Sequence, residues 1–234
     1  MTGGEQVDLA ALFAGMARDL LARHGVEATL EETCRLAAAT IDGCDSAGVS
    51  MVHRDGHIDT PAASSEVAGI AHDIQYELHE GPCLDTIWEH DTVRIDDLAT
   101  ERRWPAFAAK AVEVGVGSMM CFRLFTERDT LGALNLFAAR PRAFDEESRE
   151  IGSIFAAHVA VALSAERTKA QLTEAFYTRQ RIGEAAGILA ERHQMTTADA
   201  FQMLAEASQH HNIKLRDLAE RLVADENRAR ARGT

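Results

Sequence analysis

This sequence of 234 residues is most informative at first through what it has little of. Its four cysteines, Cys34, Cys44, Cys83 and Cys121, form no CxxC pair. That spacing argues against a disulfide framework and predicts reduced thiols in a cytoplasmic protein. Aromatic residues make up only 6%, while alanine is abundant. No stretch approaches 18 apolar residues free of charge, so no membrane-spanning helix is expected. The opening run MTGGEQVDLAALFAGMARDLL has no basic segment followed by an unbroken apolar stretch, so no signal peptide is expected. P-loop, GxSxG, GxGxxG and HExxH motifs are absent. His72, His79, His90, His210 and His211 have no spacing that would assemble a nucleophile with its base. The chain is therefore read as neither an enzyme nor a metal centre.

What is present suits a globular protein of one or two domains, with 46% hydrophobic and 26% charged residues. The net charge of −13 is unevenly placed. From Glu166 onward, 11 Lys and Arg face 10 Asp and Glu, a balance of +1 that leaves −14 before it. An acidic body joined to a near-neutral, arginine-dotted region predicts two parts with different partners.

Along the chain, Val7, Leu9, Leu12, Phe13, Met16 and Leu20, then Leu30, Cys34, Ala37, Ala38 and Ile41, keep helical spacing, with Thr29 as a candidate cap. AGVSMVHRDGHIDTPAAS alternates around an Asp-Gly turn and predicts a β-hairpin. Helix returns in SEVAGIAHDIQYELHE, is broken at Gly81-Pro82, and resumes briefly at Cys83. TVRIDDL reads as a strand and WPAFAAKAVEVGV as a helix opened by Pro105. SMMCFRLFTERDTLGALNLFAA predicts a second hairpin. The expected fold class is α+β, an antiparallel sheet flanked by helices.

From Asp145 the pattern becomes a single long helix, capped by Asp145 and without proline. Ile151, Phe155, His158, Ala162, Ala165, Lys169, Leu172 and Phe176 follow heptad spacing, which predicts a coiled-coil seam against a second copy of the chain. Two shorter helices follow, one capped by Thr196 or Thr197, the other by Asn212. With Ile182 and Leu189 they complete a three-helix bundle. The final NRARARGT reads as a frayed tail.

One stretch stands apart. RIGEAAGILAERHQM is helical, yet Gly183, Ala186, Gly187 and Ala190 leave one stripe nearly bare, with Arg179 beside it. Small residues permit close helix packing. A bare surface beside a guanidinium also suits nucleobases and phosphate.

TRQRIGEAAGILAERHQMTTADAFQMLAEASQHHNIKLRDLAERLV resembles the ANTAR domain, an RNA-binding module of bacterial transcription antiterminators. The blocks RxxIxxAxGIL, AFxxLxxAS and NxKLxxLA agree in order and spacing. EGPCLDTIWEHDTVRIDDL, RWPAFAAKAVEVGVGSMMCFRLF and LGALNLFA resemble a GAF domain of the type joined to ANTAR in actinobacteria. The resemblance implies a GAF-like sensor at 1–144, a linking coiled-coil helix at 145–176, an ANTAR domain at 177–225 and a flexible tail at 226–234. It implies that paired RNA hairpins near a terminator bind to a homodimer. Arg179, Ala185, Gly187, Asn212 and Lys214 match the RNA-facing positions. Arg181, Arg192 and Arg216 are added phosphate candidates. The family usually carries a lysine where this chain has Ala186.

GAF domains often hold a small ligand, so an unknown small-molecule or protein signal is expected at the first domain. Cys83, Trp104, Phe107 and Met119 are the candidate sensing residues. Cys83 starts a helix, a position that tends to lower a thiol pKa. A protein–protein signalling module with weak or lost RNA binding is the alternative reading.

Overall fold

The computed structural model describes residues 11, 14–20, 22–53, 55–127 and 129–232. They form two compact units, Met1–Arg167 and Thr168–Thr234. Val7, Leu9, Leu12 and Phe13 lie outside the described residues, whereas Met16 and Leu20 are helical and buried.

The first unit follows the expected α+β order. It contains helix α1 (Val26–Thr40), strands β1 (Ser46–Val52) and β2 (Ile58–Ala63), and helices α2 (Glu66–Leu78) and α3 (Pro82–Trp88). Strand β3 (Thr92–Ile95), helix α4 (Pro105–Glu113), strands β4 (Ser118–Phe125) and β5 (Thr130–Ala138), and the start of helix α5 (Glu146–His193) complete it. The strands pair antiparallel in the order β2-β1-β5-β4-β3. Pro61 lies in β2, at an edge, where a missing N–H is tolerated. Gly56, at φ 85°, turns the first hairpin, and the His53 amide donates to the His57 carbonyl at 2.8 Å. Helix α1 starts earlier than Thr29 suggests. Gly25, at φ 96°, is its N-cap, and the Thr29 hydroxyl donates back to the Gly25 carbonyl.

Strand alternation divides the sheet into two faces. Ala47, Val49, Met51, Met120, Phe122 and Leu124 pack with α1 and α5. Met119, Cys121 and Phe137 point the other way and pack with α2 and α4.

Asp145 caps α5 as expected, accepting from the Ser148 amide at 2.9 Å. The predicted seam, however, is wrong at its start. Phe155 and Ala162 are buried in the unit's own core, and Ile151 packs against it. This part of α5 carries two apolar faces, and the richer one is taken by the sheet. A Cβ added to Gly152 would collide with the Phe122 ring, which shows how closely helix and sheet approach. The large apolar residues left exposed on this part of α5 are Ile154 and Val161.

In the second unit, the rest of α5 packs with helices α6 (Thr197–His211) and α7 (Leu215–Arg232). Its core is small, built from Ala185, Ala186, Leu189, Ala200, Leu204, Ala219 and Val223. Thr196 caps α6, its hydroxyl accepting from the Asp199 amide. Asn212 does not begin the last helix. It is the C-cap of α6, in the left-handed region at φ 51°, a conformation asparagine tolerates. Residues 226–232, read from sequence as tail, continue α7.

Candidate functional site

On the α2 face of the sheet lies a buried polar cluster. Helix α2 brings His72 beneath β1 and β5, where Gly48 leaves room for the ring. A Cβ at residue 48 would sit 2.5 Å from His72 Cε1. His72 Nδ1 is 2.7 Å from the Ala68 carbonyl, so Nδ1 carries the proton and donates. Nε2 then accepts from Asn135 Nδ2 at 2.9 Å. Burial drives the His72 pKa down to about 4, against a smaller upward effect of the Ala68 bond. Asn135 Nδ2 also lies 3.3 Å from Ser50 Oγ and 3.4 Å from Cys83 Sγ. The Tyr76 hydroxyl donates to Ser50 Oγ at 2.7 Å. Asn135 Oδ1 and Thr86 Oγ1 are buried without a hydrogen-bond partner among the described residues.

Cys83 is at the first turn of α3, as the sequence suggests, but its thiol is not activated. Burial pushes its pKa up to about 11, despite hydrogen bonds that link it to Ser50 Oγ and Asn135 Nδ2. The other candidate sensing residues do not line a common space with it. Trp104, Phe107 and Met119 are packed into the core beneath α2 and α4, and Trp104 Nε1 donates to Asp85 Oδ2. Cys83 packs separately with Ile87 and Ala133. His79 is the exposed, left-handed C-cap of α2 and does not converge with His72. No group of metal-ligating side chains occurs among the described residues. Sequence reasoning missed Ser50 and Asn135. The signal was there: a serine and an asparagine inside otherwise apolar strands, GVSMV and GALNLFA.

In the second unit, the bare stripe of α5 is narrower than the helical wheel implies. Ala185 and Ala186 are buried, and Ala190 is half-buried. Helices α6 and α7 both pack against α5, which widens its core-facing arc to roughly 200° at about 100° per residue. Their side chains face the bundle core, a correction to the expectation that Ala185 and Ala186 present themselves to RNA. Gly183 and Gly187 are exposed, and an added Cβ at either would meet nothing within 4 Å. Arg179, one turn before Gly183, is exposed and has no ion-pair partner among the described residues.

The other basic candidates separate into two groups. Lys214 is exposed and unpaired among the described residues. Arg181 is held by Glu184 at 2.8 Å and by the Tyr177 hydroxyl at 2.9 Å, with its guanidinium over the Tyr177 ring. Arg192 is ion-paired to Glu226, and Arg216 to Glu174 at 2.7 Å and Asp217 at 3.1 Å. Exposed pairs of this kind hold a side chain by only about 0–1 kcal/mol. They nonetheless leave Arg179 and Lys214 as the least neutralised charges among the sequence candidates.

No helix among the described residues is long and apolar enough to cross a membrane. No curated protein matches the chain. Among solved structures, it resembles the chromophore-binding domain of an unusual bacteriophytochrome from R. palustris, at TM-score 0.56 and 11% identity over 70% of this chain and 62% of that one. This chain therefore spans less than two thirds of that relative. The GAF domain of an Acinetobacter phosphoenolpyruvate-protein phosphotransferase matches at TM-score 0.54 and 12% identity, covering 73% of this chain and 99% of that one. The cyanobacteriochrome TePixJ GAF domain matches at TM-score 0.53 and 16% identity, over 64% and 95%. At these identities the likeness concerns the fold alone. Residues 170–223 match the family model of the ANTAR domain, and residues 23–164 match that of the GAF domain. Both are regulatory modules. With more than half of its length in the second match, the chain belongs to the GAF domain family and carries a GAF–ANTAR architecture.

Proposed function

We propose that this chain is a transcription antitermination regulator, of the kind joined in actinobacteria and acting in the cytoplasm. Its helical unit binds paired RNA hairpins beside a terminator, and the GAF unit controls that binding. The observation that carries this reading is the pairing of unneutralised Arg179 with the open backbone of Gly183 and Gly187, inside the matched ANTAR span. Lys214, unpaired among the described residues, adds a further cation in that span. Arg181, Arg192 and Arg216 contribute less, because carboxylates already hold them. Asn212 acts by shaping the α6–α7 turn that presents Lys214.

Two hairpins call for two helical units, and α5 offers a stripe for a second copy. Leu172 and Phe176, on the part of α5 that belongs to the second unit, are exposed large apolar residues and fall within about 40° of each other on a helical wheel. This stripe replaces the seam drawn from sequence, keeping Leu172 and Phe176 and discarding Phe155 and Ala162. Left-handed pairing of two such helices would cover it.

The test is a gel shift with a two-hairpin RNA in low and high salt. Wild type should bind at low salt. Arg179→Gln should weaken binding and reduce the salt slope by about one unit. Ala186→Lys restores the residue usual in the family. Its stem can follow the core edge while the ammonium reaches water, so binding should tighten. No binding by wild type at low salt would overturn the RNA reading and favour protein docking at the same face.

A further inference from the structure

Helix α5 has a gap in its charge where it crosses the first unit. From Ile151 to Ala165 it carries no Asp, Glu, Lys or Arg, although such residues make up 26% of the chain. One side of this segment is buried in the core through Phe155, Val159 and Leu163, and that side needs no charge. The other side faces water. Ser153, Ile154, Ala157, Val161 and Ala165 are exposed, Val161 to 69%. The outward face of a surface helix ordinarily carries charged residues.

The shape of this face fits a copy of itself. Ala157 and Val161 line two recesses, one on each side of α5, and so form a ridge between them. Ala17 and Leu20, helical residues ahead of α1, wall a recess of about 230 Å³. Phe122 and Phe125 of β4 wall the other, of about 370 Å³. Phe125 is exposed, with the Arg123 guanidinium 4.7 Å from its ring centroid. Arg123 is ion-paired to Asp91, so charge at this rim is cancelled. A ridge with a recess on each side is its own complement, as where helix ridges pack into grooves.

Charge selects the occupant. The residues before Glu166 sum to −14. A basic partner would be drawn to acidic surface elsewhere on this body, and an acidic partner would be repelled by it. Two copies of so acidic a body meet without opposing like charges only where charge is absent. We propose that this face docks the same face of a second copy, each Val161 entering a recess of the other across a twofold axis. The contact lies wholly in the first unit. It does not rest on RNA binding, nor on the Leu172–Phe176 contact in the second unit.

Light scattering of the full chain over a range of concentrations, joined to cross-linking, tests it. Val161→Glu should weaken association about tenfold or more, because each copy then buries a charge against the other. Val161 is exposed, so the variant should melt as a wild-type monomer does. Val112→Glu places the same charge at an exposed apolar residue of α4 and should leave the mass unchanged. Val161→Cys should be joined to its copy by a short bis-maleimide. Wild type, whose thiols are buried or half-buried, should not. A 25.5 kDa species at all concentrations would overturn the proposal. Equal loss of association in Val112→Glu would also overturn it, as a general effect of charge. Failure of Val161→Cys to cross-link in a chain that still associates would overturn it and leave Leu172 and Phe176 as the contact. A lowered melting temperature at constant mass in Val161→Glu would overturn it in favour of the chain's own N-terminal residues as the cover.

Discussion

The two units use glycine in opposite ways. In the first unit, Gly48 and Gly152 are pressed against His72 and Phe122, so the missing side chain is a packing requirement. In the second, Gly183 and Gly187 face open space inside a helix, where packing explains nothing. The same residue type marks a filled interior in one unit and an unfilled surface in the other. Interior and surface should therefore respond differently to substitution, in sign as well as size.

The sharpest contrast lies along α5, between two phenylalanines. Phe155 is fully buried against the sheet, and Phe176 is 72% exposed. Phe155→Ala should cost about 3–5 kcal/mol of stability, read by denaturant unfolding, because it opens a cavity in a packed core. Phe176→Ala should leave the unfolding of a monomer within about 0.5 kcal/mol of wild type. Its effect should appear in light scattering, as a shift from twice the 25.5 kDa chain mass toward the single chain. If Phe176→Ala and Leu172→Glu both leave the mass unchanged, the stripe is not the contact between copies.

Next in size is the pH response of the first unit. His72 titrates at about 4 in the folded protein, against an ordinary 6.5. Folding favours the neutral ring, so its contribution is complete above the unfolded pKa. It is lost as pH falls from about 6.5 toward 4, because the unfolded chain binds the proton first. The loss should approach about 3 kcal/mol. Thermal melts between pH 7.5 and 4.5 would show it as a slope that His72→Gln reduces. An equal slope in the variant would place the pH dependence on the carboxylates instead. Glu101, held down to about 2 chiefly by Arg103, keeps its contribution until pH falls to about 4.5, at the lower end of that window, and loses it from there toward 2.

Gly48→Ala should come third, at about 1–3 kcal/mol, since the added methyl must displace a buried imidazole. A melting temperature equal to wild type would mean that the His72 ring has room to retreat.

These contrasts also show what could be read before the structure. Strand and hairpin positions were legible because alternation and an Asp-Gly turn are local signals. So was the Asp145 cap. The seam of α5 was misread because one helix carries two apolar faces, and periodicity alone cannot say which meets the sheet. Ala186 was misplaced for a related reason. A wheel assumes one packing partner, whereas α5 has two in the helical unit. Cys83 was read from its place at a helix start, but burial outweighs the helix end. The His72–Asn135 contact joins residues 63 apart in the chain, and no local pattern connects them.

The smallest expected effect on stability has the opposite sign and tests the comparison most directly. Gly187→Ala adds a methyl to an exposed helical position with nothing within 4 Å. It should stabilise the helical unit by up to about 1 kcal/mol, through helix propensity and a less flexible unfolded chain. Gly183→Ala should do the same. If the bare backbone is an RNA contact, the double variant should melt higher and yet shift the two-hairpin RNA less well. A gain in melting temperature with unchanged RNA affinity would leave Arg179 and Lys214 as sufficient phosphate contacts and remove the glycines from the interface. A loss of stability would mean that the glycine face is covered in solution, and a second copy of the chain would be the first candidate to cover it.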